Sequence, residues 1–137
     1  MAVIEELLRE EGNGSISFGN YKLDTKAKVE DFEHCGDLYK VKTFKTMTRL
    51  EKNGMFVYES VPGTSVLDFE ETEDGVSFQV EGNEYAQITV GLMEDTEYEV
   101  YVADQNIGKM KTNLSGKLNI SIELAQEQEV SVRIVTK

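Results

Sequence analysis

The chain has 137 residues, enough for one hydrophobic core with no disulfide or metal to staple it. A hydrophobic fraction of 39% and a charged fraction of 29% are globular values and exclude a disordered chain. The formal net charge of -12 repels phosphate backbones and anionic lipid, so nucleic-acid and membrane-surface binding are excluded in favour of basic partners or divalent cations.

Taken in chain order, the first element predicted is a short amphipathic helix over residues 3–11. Ile4, Leu7 and Leu8 fall at i, i+3 and i+4, with Glu5, Glu6, Arg9 and Glu10 around them. Gly12 supplies a C-cap, and Asn13-Gly14 turns the chain. Such a helix is too short to stand alone, so it is expected to dock against a sheet or a partner. From Ser15 the period becomes two, and a phase slip at Gly19-Asn20 predicts a β-bulge. Val29 and Phe32 mark a weaker strand. Tyr39, Val41 and Met47 share one face of the next segment, with Lys40, Lys42 and Phe44 on the other.

Asn53-Gly54 predicts a type I′ hairpin, because both residues accept positive φ. A strand over Met55 to Val61 follows, then Leu67 and Phe69 alternate with Asp68 and Glu70. Asp74-Gly75 is a second hairpin signal, after which Val76, Phe78 and Val80 return. Ala86, Ile88, Val90 and Leu92, then Tyr98, Val100 and Val102, give two clean alternations. Leu118, Ile120, Ile122 and Leu124, then Val130, Val132 and Ile134, give two more. One-sided alternation with frequent turns predicts an all-β fold: an antiparallel β-sandwich, immunoglobulin-like or jelly-roll-like, with the helix as preface. The expected organisation is a single domain over 1–137, its strands filling 15–137.

Few residues carry recognisable chemistry. His34 and Cys35 are the sole His and the sole Cys, so they build no four-ligand zinc site and no disulfide. In an extended segment their side chains point apart, which spoils a Cys–His pair. The acidic run Glu70 to Asp74 reads as a solvated hairpin tip and lacks the spacing of a calcium loop. A glycosidase needs two carboxylates roughly 5–10 Å apart, and with 26 acidic residues the sequence nominates no pair. Arg9, Arg49 and Arg133 are spread over the helix, the middle and the last strand and are not expected to converge. No catalytic residue, cofactor or metal site is therefore assigned. Sugar-binding modules present aromatic side chains outside the core stripe, and the candidates of that kind are Phe44 and Tyr101. The opening residues lack a basic start and a long apolar run, and with one cysteine this leads to an expectation of a cytoplasmic protein.

The run Leu92-Met93-Glu94-Asp95-Thr96-Glu97-Tyr98 resembles the tyrosine corner of immunoglobulin-like and fibronectin type III sandwiches, which implies a tyrosine hydroxyl bonded back to the main chain. The stretch from Tyr98 through Asn113-Leu114-Ser115-Gly116-Lys117-Leu118 resembles C-terminal β-sandwich modules of polysaccharide-acting enzymes. Ser17-Phe18-Gly19-Asn20-Tyr21 and Tyr58-Glu59-Ser60-Val61-Pro62-Gly63-Thr64 resemble a group of small bacterial proteins often labelled endosialidase catalytic beta chain.

The function expected first is a non-enzymatic protein-interaction module, self-associating through an edge strand or the N-terminal helix. A carbohydrate-binding module is the alternative that the C-terminal resemblance implies. A glycoside-hydrolase-type enzyme comes third, with no residues to carry it.

Overall fold

The computed structural model describes residues 4–124 and 128–136. Thirteen strands lie among them: β1 (Leu8–Glu10), β2 (Ile16–Phe18), β3 (Ala27–His34), β4 (Asp37–Thr43), β5 (Thr48–Lys52), β6 (Met55–Val61) and β7 (Ser65–Thr72) come first. They are followed by β8 (Gly75–Glu81), β9 (Ala86–Gly91), β10 (Glu97–Val102), β11 (Gln105–Lys111), β12 (Lys117–Ile122) and β13 (Val130–Val135). Every pairing is antiparallel. One sheet runs β1-β2-β7-β8-β13-β10-β11 and the other β12-β9-β6-β5-β4-β3. Their inner faces share one apolar core, so the two sheets form a sandwich.

The core follows the period-two pattern. Val76, Phe78 and Val80 of β8 face inward, as do Ile88 and Val90 of β9 and Val132 and Ile134 of β13. At its centre the rings of Phe18, Tyr58, Phe69 and Phe78 meet largely edge to face, with Phe18 and Tyr58 5.3 Å apart. Each such buried side chain contributes about 1.5–3 kcal/mol of transfer free energy.

The N-terminal helix does not form. Within the described part of residues 3–11, Leu7 N–H bonds Ile4 O in a tight turn, and Leu7 adopts a φ of 72°. β1 then pairs with β2, setting Leu8 opposite Phe18. A helix of two turns is marginal by itself, whereas the extended form satisfies the backbone on a neighbouring strand and buries both Ile4 and Leu8. The slip at Gly19-Asn20 is not a bulge either. β2 ends at Phe18, and Gly19, at a φ of 98°, starts the crossover to the second sheet.

The bulges lie elsewhere and explain two breaks in the alternation. Val29 and Phe32 both pack against the core because the β3–β4 register shifts between them, at Asp31. Val66 and Phe69 are both buried for the same reason, with Asp68 at a φ of 54° between them, so Leu67 turns outward. The hairpin at Asn53-Gly54 is a two-residue turn with φ values of 53° and 81°, the type I′ form expected. The other expected hairpin turns on Glu73-Asp74, and Gly75 already pairs with Thr72.

Candidate functional site

The outer face of the seven-stranded sheet holds a polar groove of about 270 Å³. Strand alternation places its floor. Because Val76, Phe78 and Val80 point inward, Ser77 and Gln79 of β8 must point outward, and Ser131 and Arg133 of β13 do the same. Tyr101 of β10 lies opposite the inward Val100.

Register then assembles these residues into rows. Glu70 pairs with Ser77, Ser77 with Arg133, and Arg133 with Tyr101, so four strands contribute to one line across the sheet. Gln79 pairs with Ser131 in the next row. The Arg133 guanidinium carbon sits 4.1 Å from the Tyr101 ring centroid, in cation–π range. The Tyr101 hydroxyl donates to Glu99 Oε1 at 2.9 Å, which fixes the ring from its far end. One wall carries Asn13 and Asp68, the latter held by its N–H to Ser17 Oγ at 3.1 Å. Asp104, in the β10–β11 turn, stands on the other wall.

Of the two aromatic candidates, only Tyr101 reaches this groove. Phe44 lies beyond the end of β4, half-buried in the turn to β5, where its N–H bonds Met47 O. It belongs to the other sheet, so the pair does not form one platform. The three arginines stay apart as well. Arg9 pairs with Glu11 on β1, Arg49 with Glu51 on β5, and Arg133 covers Tyr101. Ser77, Gln79 and Ser131 were not singled out from sequence; the outward phase of β8 and β13 was the available signal.

Two other concavities occupy the end of the sandwich where the β5–β6 and β7–β8 hairpins turn. One, of about 390 Å³, is lined by Phe56, Leu92 and Tyr98 beneath Met55 and Met93. The other, of about 270 Å³, includes His34, Cys35, Tyr39 and Glu70. The ion pair Lys52–Glu71, at 2.9 Å, borders both, and it engages the acidic run at the exposed β7–β8 tip.

His34 and Cys35 are not splayed apart. Cys35-Gly36 is a two-residue hairpin turn with φ values of 52° and 84°, which brings Cys35 Sγ to 3.5 Å from His34 Nε2. The imidazole is already engaged on both sides, by Glu10 Oε2 at 2.7 Å from Nδ1 and by Gly14 O at 3.1 Å from Nε2. It ties β3 to the β1–β2 hairpin across the two sheets.

Tyr98 bonds back to the main chain of the segment before it. Tyr98 is buried, and its hydroxyl accepts a hydrogen bond from Met93 N–H at 3.1 Å as the chain crosses between sheets. Comparison with models of protein families, with curated proteins and with solved structures finds no match in any of the three.

Proposed function

We propose that the protein is a non-enzymatic binding module whose ligand is a neutral carbohydrate, held in the groove on the outer face of the seven-stranded sheet. The observation that carries this reading is the row Ser77–Arg133–Tyr101, with the guanidinium 4.1 Å over the ring. Sugars present alternating apolar C–H faces and hydroxyl edges. A planar guanidinium stacked on an aromatic ring, beside a floor of short hydroxyl and amide side chains, offers a flat surface to the first and hydrogen-bonding groups to the second. Asp68, Glu70 and Asp104 outnumber the one arginine among the lining residues, which disfavours acidic sugars. The tyrosine corner at Tyr98 supports an immunoglobulin-like reading of the sandwich, a frame on which binding residues are commonly grafted.

Titrating the protein with neutral oligosaccharides while recording amide chemical shifts tests the reading. Shifts should concentrate at Ser77, Gln79, Ser131 and Tyr101 and vanish in Tyr101→Ala, while Phe44→Ala binds as the parent does. Saturating glycan that leaves those amides unmoved rejects it.

A protein partner is the second reading. Met55 and Met93, 71% and 66% exposed, line the concavity of about 390 Å³. Acidic Glu71 and Glu73 on the same wall favour an apolar segment flanked by lysine or arginine. A basic apolar peptide whose affinity ignores Met93→Ser would dismiss this reading.

A further inference from the structure

The groove on the outer face of the seven-stranded sheet has a long axis, and strand register fixes its direction. One row of outward residues, Glu70–Ser77–Arg133–Tyr101, runs through β7, β8, β13 and β10. The next row sets Gln79 opposite Ser131. Neighbouring strands lie about 4.8 Å apart, so the first row spans about 14 Å across the sheet. Along the strands the floor is two rows deep, from Ser77 to Gln79, which is about 7 Å. An extended ligand therefore fits across the strands and not along them.

The two ends of that row differ in chemistry. At β10 the Arg133 guanidinium, stacked on the Tyr101 ring, offers a flat surface. At β7 the exposed Glu70 lines the groove beside Asp68. An ionised carboxylate only accepts hydrogen bonds, and its two oxygens take two donors at once, as a pair of neighbouring sugar hydroxyls presents them. Between the ends, the hydroxyls of Ser77 and Ser131 and the amide of Gln79 both donate and accept.

Among the described residues, no side-chain hydrogen bond or ion pair engages Glu70, Ser77, Gln79, Ser131 or Arg133. The outer face of the other sheet is different. There Thr89 bonds Asn119, Arg49 pairs with Glu51 and Glu59, and Lys28 and Lys40 both reach Glu30. The row in the groove keeps its donors and acceptors available to a ligand, whereas the other face satisfies them internally. We infer, on the reading of this groove as a sugar site, that its ligand is a linear neutral oligosaccharide lying across the strands. One ring rests on Arg133 and Tyr101, and a pair of hydroxyls at the far end donates to Glu70. About three rings are then held, each advancing by roughly one strand spacing. A single sugar reaches the stacking end and loses the second anchor.

Titration of the full chain with cello-, manno- and malto-oligosaccharides of one to five units, read by calorimetry and by amide chemical shifts, tests this. Affinity should rise about tenfold or more from one unit to three and change little beyond. Three units should move the amides of both Glu70 and Tyr101, and one unit only those around Tyr101. Glu70→Gln should weaken binding of three units about fivefold or more and leave binding of one unit as in the parent. Glu70 is exposed, and a melting curve matching the parent's shows that the variant folds. Affinity independent of chain length, with shifts at Tyr101, overturns the inference and leaves the sugar site standing. So does a Glu70→Gln variant that binds three units as the parent does. A panel in which no sugar moves either end of the row rejects the inference together with the site itself.

Discussion

The Tyr58 hydroxyl lies 2.8 Å from Thr64 Oγ1 inside the apolar core, linking β6 to the segment that carries the chain into the opposite sheet. Ser60 Oγ reaches the same threonine oxygen at 2.8 Å, and Thr48 Oγ1 donates to Thr64 O at the same distance. Thr64 is thus the shared partner of a buried polar network. Tyr58→Phe removes one arm and leaves Thr64 bonded to Ser60, which should cost about 1 kcal/mol. Thr64→Val keeps the volume but orphans Tyr58 and Ser60 together, at roughly 1–3 kcal/mol for each unsatisfied group. Urea unfolding should therefore rank the valine variant well below the phenylalanine variant.

Gly75 marks a backbone position that no other residue fits. Its φ is 151°, and a Cβ there would collide with the carbonyl of Ile134 on the neighbouring strand. That carbonyl belongs to a β8–β13 ladder in the middle of the sheet and has nowhere to retreat. Gly75→Ala should lose on the order of 3 kcal/mol or more, since it adds steric overlap to an unfavourable φ. The control is Gly12→Ala, where nothing lies within 4 Å of the added atom. If both variants melt at the same temperature, the tight approach at Gly75 is not structural.

Much of this arrangement is legible in the residues because strand alternation is a local property. Ala86 to Val90 and Leu118 to Ile122 show their inward faces directly, and Asn53-Gly54 announces its turn by chemistry alone. The N-terminus misleads for a physical reason. Ile4, Leu7 and Leu8 fit a helical stripe, but their partner is β2, and pairing outweighs a local preference worth a few tenths of a kcal/mol per residue. The bulge at Asp68 hides in the same way. Leu67 and Phe69 share one face of the alternation in sequence, yet the register shift puts them on opposite faces, so Phe69 is buried and Leu67 turns outward. The groove is harder still. Ser77, Tyr101 and Arg133 are successively 24 and 32 residues apart, and only the strand order β8-β13-β10 makes them neighbours.

Tyr39 gives the fold an alkaline limit. Burial, followed by the negative charges of Glu71 and Asp37, raises its phenol from 10.0 to about 12. The native state therefore holds a proton that the unfolded chain releases between those values. Since the folded form binds more protons there, stability is intact below pH 10 and falls as pH rises toward 12. Urea midpoints measured at pH 9 and pH 11.5 should show that loss. Tyr39→Phe should reduce the drop, leaving the part due to Tyr58, whose phenol full burial also raises. An unchanged drop in the variant would assign the alkaline limit to other groups.

Glu11 acts at the opposite end of the pH scale. Its carboxylate accepts from Ser17 Oγ and from Arg9 Nε, and these two bonds, in that order, hold its pKa below the ordinary glutamate value. The unfolded chain takes up the proton first on acidification. The stabilisation is thus complete above the unfolded pKa and disappears as pH falls through the lower folded one. Because the carboxylate is partly exposed, salt weakens the Arg9 contribution more than the Ser17 hydrogen bond. Glu11→Gln should be less stable than the parent at pH 7, by an amount that shrinks toward zero below pH 3 as the parent carboxylate also becomes neutral. Denaturation midpoints of both proteins between pH 7 and pH 2.5 check this. A difference that stays constant across that range would trace the effect to side-chain packing and not to the charge on Glu11.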